Sequence, residues 1–351
     1  MLRDVVIIGG GLTGVMAART LKENGVDDVL VIEKGKSLGG RMATRRIGEG
    51  RVDHGAQFFT VRTKHFQSFV EEWEKNDFVS KWFGKTYSRY KSNNGMNSLV
   101  KKLGENLEVI FNTKVINIQN AEDHYLLLTD CHTKIAAKAV IITAPVPQSV
   151  ELLHNLEIDH RFNKMLKNVT YHPCFVLLAS LPTSSTLPEV GILNENLPDG
   201  LDRIVDHKKK GISSLTTLSI YTTGQWAKNH YHLEDHEIKA LLLESLKPVL
   251  QKEKIIELQL KRWRYSEATS TIKHPFLDLE QTFPLFLAGD VLLHKDDRSG
   301  RTRVESAFLS GVAAGEEMAR RMVNKLNVTF YNMNVEYIFY LLYIEVNKNK
   351  R

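Results

Sequence analysis

The stretch Val5–Glu33 constrains the fold more than any other, reading VVIIGGGLTGVMAARTLKENGVDDVLVIE. Val5 to Ile8 form an apolar, β-branched run with the composition of a buried parallel strand. Gly9, Gly11 and Gly14 then spell G-x-G-x-x-G, and a helical pattern runs from Thr13 to Glu23. Gly25 stands where a helix C-terminus wants a positive φ. A second apolar strand, Val29–Ile32, ends in Glu33, 19 residues past Gly14. Each part has a physical task in binding an ADP-containing cofactor. Gly9 permits the tight turn, Gly11 lets backbone N–H groups approach a pyrophosphate, and Gly14 lets the helix pack on the strand. The N-terminus of that helix, at Leu12 and Thr13, offers partial positive charge to phosphates. Glu33 is placed to accept from ribose hydroxyls. At this point NAD and FAD are equally open.

Size and composition bound the rest. With 351 residues the chain exceeds what one core usually serves, so two domains are expected. A net charge of +6 suits an anionic ligand, but Lys and Arg form no long block, which argues against a nucleic-acid surface. Cys131 and Cys174 have neither metal-ligand nor redox spacing and read as reduced thiols, as in a cytoplasmic protein. No segment has the length of a membrane span, and the opening residues do not read as a secretory signal.

After Glu33 and Lys34, Gly39-Gly40-Arg41-Met42 forms a second phosphate-facing loop in outline, two glycines for close approach and an arginine for bidentate contact. Asp53-His54-Gly55-Ala56-Gln57-Phe58-Phe59-Thr60 follows, with Gly55-Ala56 a small-residue patch open to a flat group and Phe58-Phe59 assigned to the core. Near the other end, the apolar strand Pro284–Ala288 closes on Gly289-Asp290. Val304-Glu305-Ser306-Ala307 and Ser310 to Ala314 then open a small-residue helix reaching about Val323. Asp290 can accept from a ribityl hydroxyl, and the helix start can face a site where negative charge builds on reduction.

These motifs resemble the flavin amine oxidase superfamily, and within it most closely the bacterial renalase-like proteins, which carry a similar G-G-R-M stretch followed by D-x-G-A-Q-Y/F-F/I-T. The resemblance implies an α/β protein: a Rossmann-type FAD-binding domain with a second α+β substrate domain on a mostly antiparallel sheet. It implies non-covalent FAD, with Arg41 near the phosphates or flavin edge and Gly55, Ala56 and Gln57 close to the isoalloxazine. Val115 matches the position whose backbone pairs with adenine, and Ala144, in Ala144-Pro145, ends the strand that leads out to the substrate domain. A Gly-Met pair (Gly95-Met96) lies near the flavin in such proteins, although a turn capping a helix explains it equally well here. Arg262-Trp263-Arg264-Tyr265 resembles the motif that re-enters the FAD domain, with Trp263 flat beside the flavin. The expected boundaries are 1–60, 96–147 and 264–325 for the FAD domain, 61–95 and 148–263 for the substrate domain, and an aromatic tail over 326–351.

Secondary-structure expectations follow period. Apolar Phe66, Phe69, Val70 and Trp73 predict a helix over 62–82, and Asp235–Leu250 predicts another. Strands are expected over 107–119, 125–129, 139–145, 174–180, 215–222 and 255–260. The loop Pro182–Pro198 suits a pocket wall, and Lys208-Lys209-Lys210 reads as a solvated face.

The activity this resemblance implies is oxidation of mis-reduced dihydronicotinamides, the 2- or 6-dihydro forms of NAD(P), to NAD(P)+. Hydride goes to flavin N5 and O2 is reduced to H2O2. Gln57, His207 and Trp263 are the candidate substrate-face residues, with no catalytic acid–base pair and no metal expected. The alternatives are an amine oxidase or desaturase, for which no tyrosine pair stands out in the sequence, and a non-catalytic flavin-binding module.

Overall fold

The structure is a computed structural model and describes residues 2–250, 254–295, 297 and 299–323. The expected aromatic tail lies outside the described residues.

β1 (Leu2–Ile8) runs into α1 (Leu12–Glu23) and returns as β2 (Val29–Ile32). A hairpin, β3 (Thr44–Ile47) and β4 (Gly50–Asp53), precedes α2 (Lys64–Lys75), a second hairpin β5 (Val79–Phe83) and β6 (Arg89–Ser92), and α3 (Met96–Leu103). Next come β7 (Glu108–Ile110), β8 (Val115–Asn120), β9 (Tyr125–Thr129) and β10 (Lys134–Ile142), then α4 (Val146–Leu152) and α5 (His160–Lys167). The second unit holds β11 (Tyr171–Ser180), β12 (Ile192–Leu193), β13 (Leu201–Asp206), β14 (Thr217–Thr222), α6 (Gly224–His230), α7 (Asp235–Leu246) and β15 (Glu257–Ala268). β16 (Leu277–Asp278) and β17 (Leu285–Leu287) return to the first sheet. A final helix, α8, covers residues 304–323.

The first sheet has the parallel core β17-β10-β1-β2-β7, with β16 antiparallel at one edge and the β8–β9 meander pairing back onto β10. Alternation along β1 divides the core. Val6 and Ile8 join Leu30, Ile142 and Leu287 on one face, while Val5 and Ile7 join Val31, Ile141 and Phe286 on the other. Both faces of β1 are dry, as a parallel sheet covered on each side requires. Ala17, Ala18 and Leu21 of α1 and Met318 and Met322 of α8 seal the second face.

The second sheet, β12-β13-β14-β11-β15, is antiparallel throughout. Its Phe175, Leu177, Ile204, Ile220, Leu258 and Leu260 face α6 and α7. The alternate residues Val176, Leu178 and Tyr221 face Ile47 and Val52 of the β3–β4 hairpin. That apolar contact joins the two units and positions the site between them.

Several elements differ from expectation. The 62–82 helix stops at Lys75 because Asn76 closes it and Asp77 takes φ 58°, held there by the Asn93 amide at 2.7 Å. Strand β5 follows, so Trp82 and Phe83 are on a hairpin. The expected 107–119 strand is two strands, broken where Asn112 adopts φ 52°. Helix α7 ends at Leu246, just short of Pro248, which lacks the N–H that a continuing helix needs. The expected 255–260 strand extends to Ala268 and carries the Arg-Trp-Arg-Tyr motif within it. Residues 66–73, grouped by sequence with the second unit, pack with Leu12, Met16 and Phe308 on the first.

Candidate functional site: a dinucleotide cradle at the domain seam

The two glycine loops touch. Gly9 has φ +115°, and a Cβ on Gly14 would sit 2.0 Å from the Gly9 carbonyl oxygen, so both positions require glycine. Gly11 caps α1 and no side chain satisfies its first turn, which leaves Leu12 and Thr13 at an open helix N-terminus. Gly39 N–H donates to Gly10 O at 2.9 Å, and a Cβ on Gly40 would lie 3.1 Å from Gly11 Cα. Glu33 directly follows β2 and accepts from the N–H groups of Gly10 (2.7 Å) and Gly35 (2.6 Å). A carboxylate has further lone pairs, so these bonds orient it and leave acceptor capacity for hydroxyls. Thr113 N–H reaches Glu33 O at 3.1 Å and brings the start of β8, Val115, alongside. Thr143 Oγ1 donates to Ile8 O at 2.9 Å and fixes the turn to Ala144. Lys34 is exposed and bonds Gln148 at 3.1 Å.

The far end of the chain closes the cradle. Arg41 and Asp290, 249 positions apart, form a bidentate pair at 2.9 and 2.5 Å. Burial alone would lower the Arg41 guanidinium, and Asp290 more than offsets it. Burial and the Asp290 charge push the nearby Tyr171 hydroxyl up to about 12. Thr13 Oγ1 donates to Ala307 O at 2.9 Å, so the N-termini of α1 and α8 meet. Space beside Gly289 is open, since a Cβ there would meet nothing within 4 Å. Met42 is buried and Val304 packs against the same cluster.

Three of these groups have packing roles within the protein. The small residues of α8 serve its packing on α1: a Cβ on Gly311 would strike Thr13 O at 2.3 Å, and one on Gly315 Ala17 O at 2.8 Å. Gly55 is glycine because a Cβ would lie 1.9 Å from Arg41 O, while Ala56 N–H bonds that same oxygen at 2.8 Å. Both therefore pack on the Arg41 loop. The Glu305 carboxylate is buried and accepts from Thr63 N–H and Oγ1, both at 2.8 Å, which ties α8 to α2.

The sequence reading missed a buried polar knot between the units. Lys210 is fully buried and its ammonium contacts Asp53 Oδ2 (2.7 Å), Gln57 O (2.6 Å) and Gln57 Oε1 (3.0 Å). Asp53 in turn accepts from Met96 N–H at 2.8 Å and Thr44 Oγ1 at 2.5 Å. Burial would raise the Asp53 carboxyl, yet Lys210 holds it below the usual carboxylate range. Lys210 itself is lowered by burial, which Asp53 opposes. The three-lysine run is therefore split, with Lys208 exposed and Lys210 in the core. No pattern in KKK marks which lysine turns inward. Gly95, at φ +96°, caps α3, so Gly95-Met96 is a capping turn that delivers the Met96 N–H.

Two of the three substrate-face candidates belong to this knot. The Gln57 amide donates to Asp53 O at 2.8 Å and to the Tyr221 hydroxyl. His207 is wholly buried, bonded through Nε2 to Ser219 at 2.9 Å, and burial with the Lys210 charge pushes it down to about 3. Both are corrected from substrate-facing to internal, because both side chains are buried in the seam. Trp263 remains half-exposed, stacked on the His54 ring at 5.5 Å with its indole N–H on His54 O at 2.7 Å. His54 is pushed down to about 4 by burial and by Lys261. Arg262, one position along, points to the opposite face and binds Asp235 at 2.7 Å. Alternation along β15 explains the difference.

This geometry defines a class first: a Rossmann-type dinucleotide-binding domain whose second glycine loop and C-terminal Gly-Asp-helix complete one cradle. The uncapped α1 terminus, the contact between glycine loops and the open space at Gly289 fit FAD. Comparison with known proteins agrees. A model of NAD(P)-binding Rossmann-like domains matches residues 7–73, and the model of flavin-containing amine oxidoreductases matches residues 66–319. The chain belongs to the flavin-containing amine oxidoreductase family, whose cofactor is FAD.

Polyamine oxidase 7 of Oryza sativa subsp. japonica is 39% identical over 54 residues, 15% of this chain and 11% of that protein. An L-amino acid dehydrogenase of Synechocystis sp. is 36% identical over 78 residues, 22% of this chain and 16% of that protein. The chain thus spans only a small part of these curated relatives' length. A putative protoporphyrinogen oxidase from Exiguobacterium sp. 255-15 shares the fold, with TM-score 0.70, 15% identity, and 91% and 98% of the two chains covered. A triple variant of putrescine oxidase does so with TM-score 0.63, 13% identity, and 92% and 99% covered. Among the described residues, no helix is long and apolar enough to cross a membrane, and no group of three or more His, Cys, Asp or Glu side chains is placed to hold a metal.

Proposed function

We propose that this chain is an FAD-dependent oxidase of renalase-like type, returning 2- or 6-dihydro-NAD(P) to NAD(P)+. The observation that carries the reading is the Trp263 ring face, stacked on His54 beside Gly55. Gln57 and His207 are taken up inside the protein, and His54 is neutral. A dihydronicotinamide ring is already electron-rich and gives up its hydride with no proton removed. The chemistry FAD supplies when bound is hydride acceptance at N5, with O2 as the final acceptor giving H2O2. The protein's own part is to hold and orient. The α1 N-terminus and Arg41 face phosphate, Asp290 fixes Arg41, and Trp263 offers a ring face for a planar substrate.

Amine oxidation is the second reading, favoured by one observation: Tyr171 and Tyr265 form a pair with centroids 5.5 Å apart. Their planes meet at 72°, edge to face, so they do not frame a slot for an amine cation. The test is product stoichiometry. FAD-loaded protein given 6-dihydro-NAD in air should form NAD+ and H2O2 one to one; turnover of putrescine instead would replace this reading by the second.

A further inference from the structure

The β3–β4 hairpin and β15 bring two cations together without a counterion. Pairing places Arg45 opposite Val52 and on the same side as Ile47, the side that faces the second sheet. Lys261 lies opposite Val176, two residues before Trp263 and therefore on the same face of β15. Among the described residues neither Arg45 nor Lys261 makes an ion pair or a side-chain hydrogen bond. Of the carboxylates that act on Lys261 and His54, Asp235 is engaged by Arg262 and Asp53 by Lys210. Burial and then Arg45 hold Lys261 below its ordinary value, and His54 lies within the field of both cations. His54 Nδ1 is buried with no hydrogen-bond partner, so hydrogen-bonding capacity is unfilled at the same place. Arg45 is exposed and Lys261 half-buried beside the Trp263–His54 stack; their like charges repel, and an anion would relieve that repulsion.

We propose that Arg45 and Lys261, beside His54, form a binding site for the pyrophosphate of the dinucleotide substrate, separate from the cradle that takes FAD. The inference rests on the dihydronicotinamide reading above. An arginine supplies a planar fork and a lysine a point charge, the usual pair for a phosphorylated ligand. A cationic polyamine would be repelled at the same seam. Trp263, two residues from Lys261, then gives the planar part of the same ligand its ring face.

The test uses ADP-ribose, which carries the pyrophosphate without nicotinamide, titrated by calorimetry into FAD-saturated protein. Arg45→Gln and Lys261→Gln should each weaken binding by roughly tenfold, and the affinity of wild type should fall steeply with salt. Arg320→Gln, on the outer face of α8, should leave it unchanged. FAD occupancy and circular dichroism confirm that each variant is folded. No ADP-ribose binding to wild type, or equal affinity in the Arg45→Gln/Lys261→Gln double variant, overturns the site. Reduction of wild-type flavin by dihydronicotinamides is read separately. If it fails while ADP-ribose still binds through Arg45 and Lys261, the site stands and the proposed activity falls.

Discussion

Replacing Lys210 with Met examines the joint between the two units. Both Lys210 and Asp53 are fully buried, 2.7 Å apart, and the substitution removes the ammonium while keeping an unbranched side chain of similar length. Asp53 would then keep two donors, Met96 N–H and Thr44 Oγ1, but no countercharge. Gln57 would lose the donor to both its backbone and side-chain oxygens. Removing one partner of a buried pair costs roughly 3–5 kcal/mol, and the stranded Gln57 oxygens add to it. In a chain of this size that is a fall in melting temperature of about 5 °C. Urea unfolding of FAD-saturated protein, followed by tryptophan fluorescence, measures it. Asp53→Asn removes the stranded charge, so the Asp53→Asn/Lys210→Met pair should show a coupling energy of about 2 kcal/mol. A loss under about 1 kcal/mol for Lys210→Met, with no coupling, would refute the claim that this pair holds the seam.

Glu33→Ala removes the acceptor at the end of β2, and FAD affinity by dialysis should fall about 10- to 100-fold; retention at the wild-type value contradicts the adenosine assignment. Gly14→Ala drives a Cβ to 2.0 Å from Gly9 O, and the purified protein should be colourless or aggregated; a yellow, stable variant would show that the turn tolerates what the geometry forbids. His54 and His207 are depressed to about 4 and about 3, so the folded state keeps both neutral where the unfolded chain protonates them near 6.5. Their contribution is complete above pH 6.5 and is lost as pH falls towards those folded values, at a slope of roughly 2 kcal/mol per unit between pH 6 and 4.5. Denaturant midpoints across that range should track the slope, and a flat profile would mean that the rings are not held neutral.

The cradle was legible because its chemistry is backbone chemistry. Gly9, Gly11 and Gly14, the acid at Glu33 and the Gly289-Asp290 turn occupy fixed spacings for steric reasons, and the structure joins Glu33 to Gly10 and Asp290 to Arg41. Contact between the halves, Arg41 to Asp290 and Thr13 to Ala307, was implicit in reading both as one cofactor's site. The seam was not legible. Lys210 looks like its two lysine neighbours in sequence, and only the fold supplies the Asp53 countercharge 157 positions away. Gln57 and His207 were misjudged for the same reason, since a polar residue next to a motif is solvated, functional or internally bonded according to tertiary contacts. Helix ends failed where side chains at a distance decide them, as Asn93 does at Asp77.

The most direct measurement is anaerobic mixing of the FAD-loaded protein with 2-dihydro- and 6-dihydro-NAD and, separately, with putrescine, following the flavin's visible absorbance. The account predicts rapid bleaching by at least one dihydronicotinamide isomer, full recovery on admitting air, and none with the amine. Bleaching by putrescine alone would contradict the proposed substrate. No bleaching by any of them would contradict the oxidase and leave a flavin-binding module.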